Sequence, residues 1–200
     1  MARARPELRS LPPRVAEIIE VARRLLETEG AHSLTMRRLG DALGIRAPSI
    51  YKHLPGKHAV EVALIDAGLA QIGEALHTAV AESGTAGPVE ALFAAYRTEA
   101  VAHPNLYRLA TAGRLPRHEL SPGMEDWAGE PWFLVAGDEF LAQAMWSFAH
   151  GMVILELDQR YPGGSDLDRT WRAGARAFAR AVNASRAAAP ASRDARPDCV

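Results

Sequence analysis

The stretch Thr35-Met-Arg-Arg-Leu-Gly-Asp-Ala-Leu-Gly-Ile-Arg-Ala-Pro-Ser-Ile-Tyr-Lys-His53 lays out two short helices joined by a glycine turn. Thr35 suits an N-cap, since its hydroxyl can accept from an amide of the first turn. Gly44 suits a left-handed stop. Leu39, Leu43, Ile45 and Ile50 fall where the two helices must pack, and Gly40 is small enough to let them cross closely. The layout is that of a helix-turn-helix. Its second helix offers a nearly charge-free start, Ala47-Pro48-Ser49, to a groove, flanked by Arg46, Tyr51, Lys52 and His53.

Those residue types fit DNA. A recognition helix enters the major groove with its N-terminal residues towards the base edges. Arg46 can make a bidentate contact to guanine, and Ser49 can touch a base or a phosphate. Tyr51, Lys52, His53 and Lys57 suit phosphate oxygens. Lys57 opens the next helix, where its charge adds to the partial positive charge of the free amides, and Thr35 can act similarly. Helical hairpins with a glycine turn also occur away from DNA. The pattern alone therefore leaves open a ligand-binding or scaffolding protein whose hairpin docks a protein partner.

Outward from this motif the chain reads as helix nearly throughout. Val15, Ile18, Ile19, Ala22, Leu25 and Leu26 recur at helical spacing between Pro12-Pro13 and Gly30. A short helix is expected from Arg46 to Leu54, and a longer one from Lys57 to Glu82. Val89 to Ala100 forms an amphipathic stripe. His103-Pro104 reads as an N-cap and N1 proline for a helix to Ala112, and residues 113–131 as irregular. From Trp132 to Tyr161 the chain is apolar on almost every side, which asks for burial on two sides. In a body this small the second side can be another subunit. A last amphipathic helix carries Leu167, Trp171, Ala175, Phe178 and Val182. No alternating strand pattern is present. The expected class is all-α, with a helix-turn-helix domain over residues 12–57, a larger domain over 58–187, and disordered tails at 1–11 and 188–200.

Composition narrows the classes further. The 200 residues carry a net charge of −1, with 48% apolar and 24% charged residues. Residues 1–60 hold eleven basic against six acidic side chains, a balance of +5, whereas the remainder stands at −6. A basic module that meets a polyanion, joined to a body that does not, leaves this footprint. The lone cysteine, Cys199, excludes a disulfide scaffold or thiolate metal site within one chain. No uninterrupted apolar run approaches a membrane span, and no apolar leader is visible, so the cytoplasm is the expected compartment. His-Glu-x-x-His, Gly-x-Ser-x-Gly, phosphate-loop and dinucleotide-loop motifs are absent. No paired acid and base stand out, so no enzyme, cofactor or metal site is expected. The Asn183-Ala-Ser185 sequon carries no weight in a cytoplasmic chain.

Residues 14–60 resemble the DNA-binding domain of the TetR family of transcriptional regulators. A long first helix ends in Glu29-Gly30-Ala31, followed by Leu34-Thr35-Met36-Arg37-Arg38-Leu39-Gly40 and Leu43-Gly44-Ile45. Ile50-Tyr51-Lys52-His53-Leu54-Pro55-Gly56-Lys57 is the most telling run, with Leu54 where the family often has Phe. Arg46-Ala-Pro-Ser49 and Trp146-Ser-Phe-Ala-His150-Gly151 are similar to a subgroup with a C-terminal Trp…His-Gly element. Ala102-His103-Pro104 and Tyr107-Arg108-Leu109 match a stretch before it. The resemblance implies a homodimer whose last two long helices pair with their counterparts. It also implies a roughly palindromic double-stranded DNA operator and release by a small-molecule effector. Along these last two helices, the expected dimer contacts are Trp146, His150, Val153, Leu157, Trp171 and Phe178. Phe93, Tyr96, Tyr107, Trp127, Met145 and Phe148 are candidate ligand contacts, although plain core packing explains each as readily. No basic cluster interrupts them, so a neutral, largely apolar ligand is expected.

Overall fold

The computed structural model describes residues 3–188, and among them the regular structure is helical throughout. The first module begins with α1 (Pro13–Glu29), whose prolines cost nothing at an end where amides lack helical partners. Its buried stripe runs through Val15, Ile18, Ile19, Ala22, Leu25 and Leu26. Helix α2 (Met36–Leu43) is capped by Thr35, whose hydroxyl oxygen accepts from the Arg38 amide at 3.1 Å. It closes at Gly44 with φ +65°. Helix α3 (Ala47–Ile50) is a single turn. It is shorter than expected because the amides of His53 and Leu54 both turn back to the Ile50 carbonyl. A Cβ on Gly40 would stand 2.8 Å from the Ile45 carbonyl oxygen and 3.1 Å from the Ala47 amide nitrogen, so the crossing of α2 and α3 requires glycine.

Helix α4 (Lys57–Ala81) runs from this module into the larger body, which also contains α5 (Pro88–Ala102), α6 (Pro104–Thr111), α7 (Met124–Ala136), α8 (Glu139–Leu157) and α9 (Leu167–Ala188). Phe93 of α5 sits at the centre of the body's core. Its ring lies 5.5 Å from Phe148, 5.7 Å from Phe178, 5.9 Å from Trp132 and 6.1 Å from Trp171. The core of the first module is not self-contained, because Leu106 of α6 is buried in it beside Leu26, Leu34, Leu39, Ile50 and Leu64.

Four further expectations need correction. Residues 124–131, expected to be irregular, belong to α7, which continues past Pro131. Proline removes the amide that would bond the Trp127 carbonyl, and His77 replaces it: its Nε2–H donates to that oxygen at 2.9 Å while its ring stacks on Trp127. The apolar segment 132–161 is interrupted at Gly137, φ +71°, before Asp138 caps α8 by accepting from the Leu141 amide. At 19 residues α8 is, by length and composition, apolar enough to cross a membrane, contrary to the run lengths. Here Ala142, Met145, Ala149, Met152 and Val153 bury one face of it in the core. Finally, residues 3–11 are not a free tail. Arg3 donates its amide to Glu130 at 2.8 Å and pairs with Asp126, Arg5 pairs with Glu74, and Arg9 bonds Ser121 and the Leu120 carbonyl. The expected C-terminal tail, apart from Ala188 at the end of α9, lies outside the described residues.

One polar cluster ties three helices of the body. Glu156 of α8 accepts from Arg97 of α5 in a bidentate pair, down to 2.7 Å, and from the Trp171 indole of α9 at 3.0 Å. Both partners are largely buried, with 25% and 15% of the side chains exposed. Glu156→Gln keeps the shape but leaves the guanidinium only the exposed Asp168 as a charge partner, at a cost of about 2 kcal/mol. The expected fall in Tm is about 4–8 °C by circular dichroism. A shift below 1 °C would show that Asp168, 2.6 Å from Arg97, suffices on its own.

Candidate nucleic-acid interface and effector cavity

One surface of the first module gathers the residues expected to meet DNA. Thr35, Arg46, Pro48, Tyr51, Lys52, His53 and Lys57 are exposed, while Ala47 and Ser49 are half-buried on the single turn of α3. Tyr51 keeps 54% of its surface in solvent, a large exposure for an aromatic with no packing role. Arg46 stands exposed at the N-cap position with extended backbone, and its guanidinium enters no hydrogen bond or ion pair among the described residues. Thr35 uses its oxygen as a cap acceptor and keeps its hydroxyl proton to donate. Lys57 is more constrained. Its ammonium lies 3.4 Å from the Ala31 carbonyl and 3.3 Å from Glu61, so it tethers the start of α4 to the loop after α1. Nearby, the Glu119 carboxylate holds the His58 imidazole above its usual range. Sequence reasoning passed over Arg37, which is exposed and enters no ion pair among the described residues, whereas Arg38 is bound to Glu29.

The larger body has a cavity of about 1100 Å³, open to solvent on one side, between α4, α5, α6, α7 and α8. Of the six candidate ligand contacts, only Tyr96 and Tyr107 line it. Phe93, Trp127 and Met145 are instead buried in the packed interior, and the half-buried Phe148 packs against Phe93. Two residues expected at a subunit interface, Trp146 and His150, line the cavity as well. Val153 and Trp171 are buried within the protomer's own core, and Leu157 and Phe178 pack against it. The outward face of α8 belongs to Phe140, 72% exposed, and Leu155, with Ala144 and Ser147 between them. Of the expected contacts Trp146 is itself 45% exposed, while the others are buried or half-buried away from this stripe.

Inside the cavity, Tyr96, Tyr107 and His150 form a polar chain. The two phenol oxygens lie 2.9 Å apart, and the Tyr107 oxygen lies 2.6 Å from His150 Nδ1. Burial raises Tyr96 to about 12, raises Tyr107 further and lowers His150, so all three are neutral at pH 7. The rest of the deep wall is apolar: Ile72, Leu76, Ala100, Trp132 and Ala142. Charge is confined to acidic groups such as Glu99 and Glu130 and to Arg3, Arg114 and Arg117.

Helix α6 joins this cavity to the first module. Tyr107 lies on it, and the Leu106 amide in its first turn donates to the Glu27 carboxylate of α1 at 3.2 Å. Asn105 donates to the Glu27 carbonyl at 3.1 Å. His103 stands at the N-cap of α6 with Pro104 at N1, as expected, but its side chain makes no cap bond; the Glu27 carboxylate from another helix satisfies the exposed amide and complements the helix dipole. Glu27 gave no signal in sequence, being one acid among several on the polar face of α1. Asp66 gave a faint one, as a lone carboxylate in the run Val62-Ala-Leu-Ile-Asp66-Ala-Gly-Leu69. It is buried and accepts from the Ser121 amide at 3.0 Å and from the Ser121 hydroxyl.

A family model described as bacterial regulatory proteins, tetR family, matches residues 18–64. The chain is 30% identical over 156 residues to the uncharacterized HTH-type transcriptional regulator Rv0681 of Mycobacterium tuberculosis, covering 70% of this chain and 68% of that protein. It is 26% identical over 93 residues to the uncharacterized HTH-type transcriptional regulator YobS of Bacillus subtilis, covering 46% of this chain. The matched region spans about half of that relative's length, 49%. In fold it is similar to the crystal structure of a possible TetR family transcriptional regulator from Streptomyces coelicolor. That superposition has a TM-score of 0.63 at 18% identity and covers 86% of this chain and 98% of the other.

Proposed function

The chain belongs to the TetR family of bacterial transcriptional regulators and is a DNA-binding protein rather than an enzyme, and from that premise we propose that it represses transcription in the cytoplasm as a homodimer on a palindromic operator, leaving the DNA when a small molecule fills the cavity. The observation that carries this reading is the position of α6. Its Tyr107 touches the cavity's polar chain, while its first turn is held by Glu27 of the DNA-binding half. A ligand that moves α6 or the α4 it packs against acts on the spacing of the two recognition helices. It can do so only through different affinities for the two arrangements, and a hundredfold effect corresponds to about 2.7 kcal/mol of coupling. The exposed stripe Phe140, Ala144, Ser147 and Leu155 on α8 supports pairing with a second copy.

The test is binding of the purified protein to fragmented genomic DNA at two salt concentrations. Recovery of a few fragments sharing a short inverted repeat, retained at the higher salt, is the expected result; no fragment enrichment at either salt overturns the reading. On the recovered site, Arg46→Ala should lose about 1–3 kcal/mol of discrimination against altered bases. Lys52→Ala should weaken every sequence alike and lower the salt slope by about one. Fluorescence anisotropy separates the two, and equal losses of specificity would contradict the roles.

A further inference from the structure

The hydrogen bonds inside the cavity fix the direction of its polar chain. Three groups share two contacts: the Tyr96 hydroxyl, the Tyr107 hydroxyl and His150 Nδ1. If Nδ1 carried the imidazole proton, it would donate to Tyr107, which would donate to Tyr96. The Tyr96 proton would then be buried with no acceptor, because its oxygen touches no other acceptor among the described residues and the side chain is only 3% exposed. An unsatisfied buried donor costs about 1–3 kcal/mol. The opposite direction satisfies every group: Tyr96 donates to Tyr107, and Tyr107 donates to Nδ1. This accords with the absence of any unpartnered buried side-chain nitrogen or oxygen among the described residues. A neutral imidazole that accepts at Nδ1 carries its proton on Nε2. His150 lines the cavity, and its Nε2 has no partner among the described residues.

We propose that the cavity takes a neutral, largely apolar molecule bearing a carbonyl oxygen (ketone, ester, lactone or amide), with that oxygen accepting from His150 Nε2–H. The inference rests on the cavity being the effector site and adds the chemistry of its occupant. The molecule's apolar body lies against Trp132, Ile72, Leu76 and Ala142. Burial keeps His150 uncharged, so a carboxylate would meet no cation at the end of the chain. The charges on the walls are mixed, Glu99, Glu125, Asp126 and Glu130 against Arg3, Arg114 and Arg117, and Arg3 is already paired with Glu130, so no excess of cations draws an anion. A cation would face the N–H it cannot use. At about 1100 Å³ the space is at the upper end of small-molecule sites, which suits a bulky molecule with one anchoring oxygen.

Three probes of similar size test this on the full chain: 6-propionyl-2-(dimethylamino)naphthalene, the same ring without its carbonyl, and 2-naphthyltrimethylammonium. Trp132 and Trp146 line the cavity, so quenching of tryptophan emission reports entry, and the ketone's own emission shifts to the blue on leaving water. The ketone should bind about tenfold more tightly than the carbonyl-free ring, the equivalent of about 1.4 kcal/mol. His150→Phe should erase that preference while the carbonyl-free ring binds as before. His150→Gln, which retains an N–H donor, should keep most of it and guards against a result due to misfolding. A preference that survives in His150→Phe, or tightest binding by the ammonium, overturns the anchor. If the ketone and the carbonyl-free ring bind equally to the natural chain, the anchor falls and the cavity stands. If none of the three enters, the reading of the cavity as effector site falls with it.

Discussion

A Gly40→Ala substitution is expected to reduce DNA affinity by about a hundredfold while leaving entry into the cavity unchanged. The added methyl would lie 2.8 Å from the Ile45 carbonyl oxygen, 3.1 Å from the Ala47 amide nitrogen and 3.4 Å from its Cα. All three are backbone atoms on the approach to α3, so no side chain can swing aside. The module must separate α2 from α3, at a cost of about 1–3 kcal/mol for overpacking. The displaced element is the turn carrying Pro48 and Ser49, flanked by Arg46. Gly44→Ala supplies the contrast. Nothing lies within 4 Å of its added carbon, and the penalty is only the left-handed φ of +65°, about 1–2 kcal/mol. That variant should lose stability but keep the position of α3 and most of its affinity. Anisotropy on the recovered operator, with probe quenching run in parallel, reads both. Affinity within threefold of the parent for Gly40→Ala would mean that α3 does not hold the recognition residues.

Gly73→Ala is expected to do the opposite, damaging the cavity more than the DNA surface. Its methyl would stand 2.5 Å and 2.9 Å from Trp127 ring carbons and 3.0 Å from the Ala128 Cα. Trp127 cannot turn away, because His77 stacks on it with ring centres 4.7 Å apart and holds its carbonyl. Helix α7 must therefore shift from α4 as a body, taking Trp132 and Phe133 of the cavity wall with it. A loss of about 2 kcal/mol in stability is expected, together with weakened ketone-probe binding. Gly68→Ala, on the same helix, meets only Leu106 side-chain carbons at 3.3–3.4 Å and should be milder. Urea denaturation of the pair, followed by tryptophan emission, compares them. Equal losses would show that α4 yields instead of α7.

Where chain chemistry is local, the sequence was readable. The Thr35 cap, the Gly44 stop and the close crossing at Gly40 depend on neighbours within a dozen residues, and each stands where the pattern puts it. Helix α7 was hidden because Gly129 and Pro131 read as breakers, and the residue that repairs the break, His77, comes fifty positions earlier. The cavity was hidden for a different reason. Tyr96 and Phe93 lie one turn apart on α5, and Met145 and Trp146 are adjacent on α8. Which of each pair faces the void depends on the rotation of helices packed against each other, a property periodicity does not carry. The same rotation brings Trp146 and His150 to the cavity wall, although Trp146 keeps 45% of its surface in solvent.

The segment from Arg3 to Arg9 precedes the DNA-binding half in sequence but rests on the other half, its arginines matched to Glu74, Asp126 and Glu130. Arg9 also reaches the buried pair of Ser121 and Asp66. The boundary near Lys57 is therefore not a clean seam for making chimaeras. A sensor assembled by transplanting everything before residue 57 from another regulator would place a foreign peptide beside the cavity, where Arg3 forms part of the wall. Transplanting only from Pro12 onward would keep the native peptide with the carboxylates it matches. For the same reason an affinity tag fused ahead of Arg3 is a tag beside the cavity, not on the helix-turn-helix.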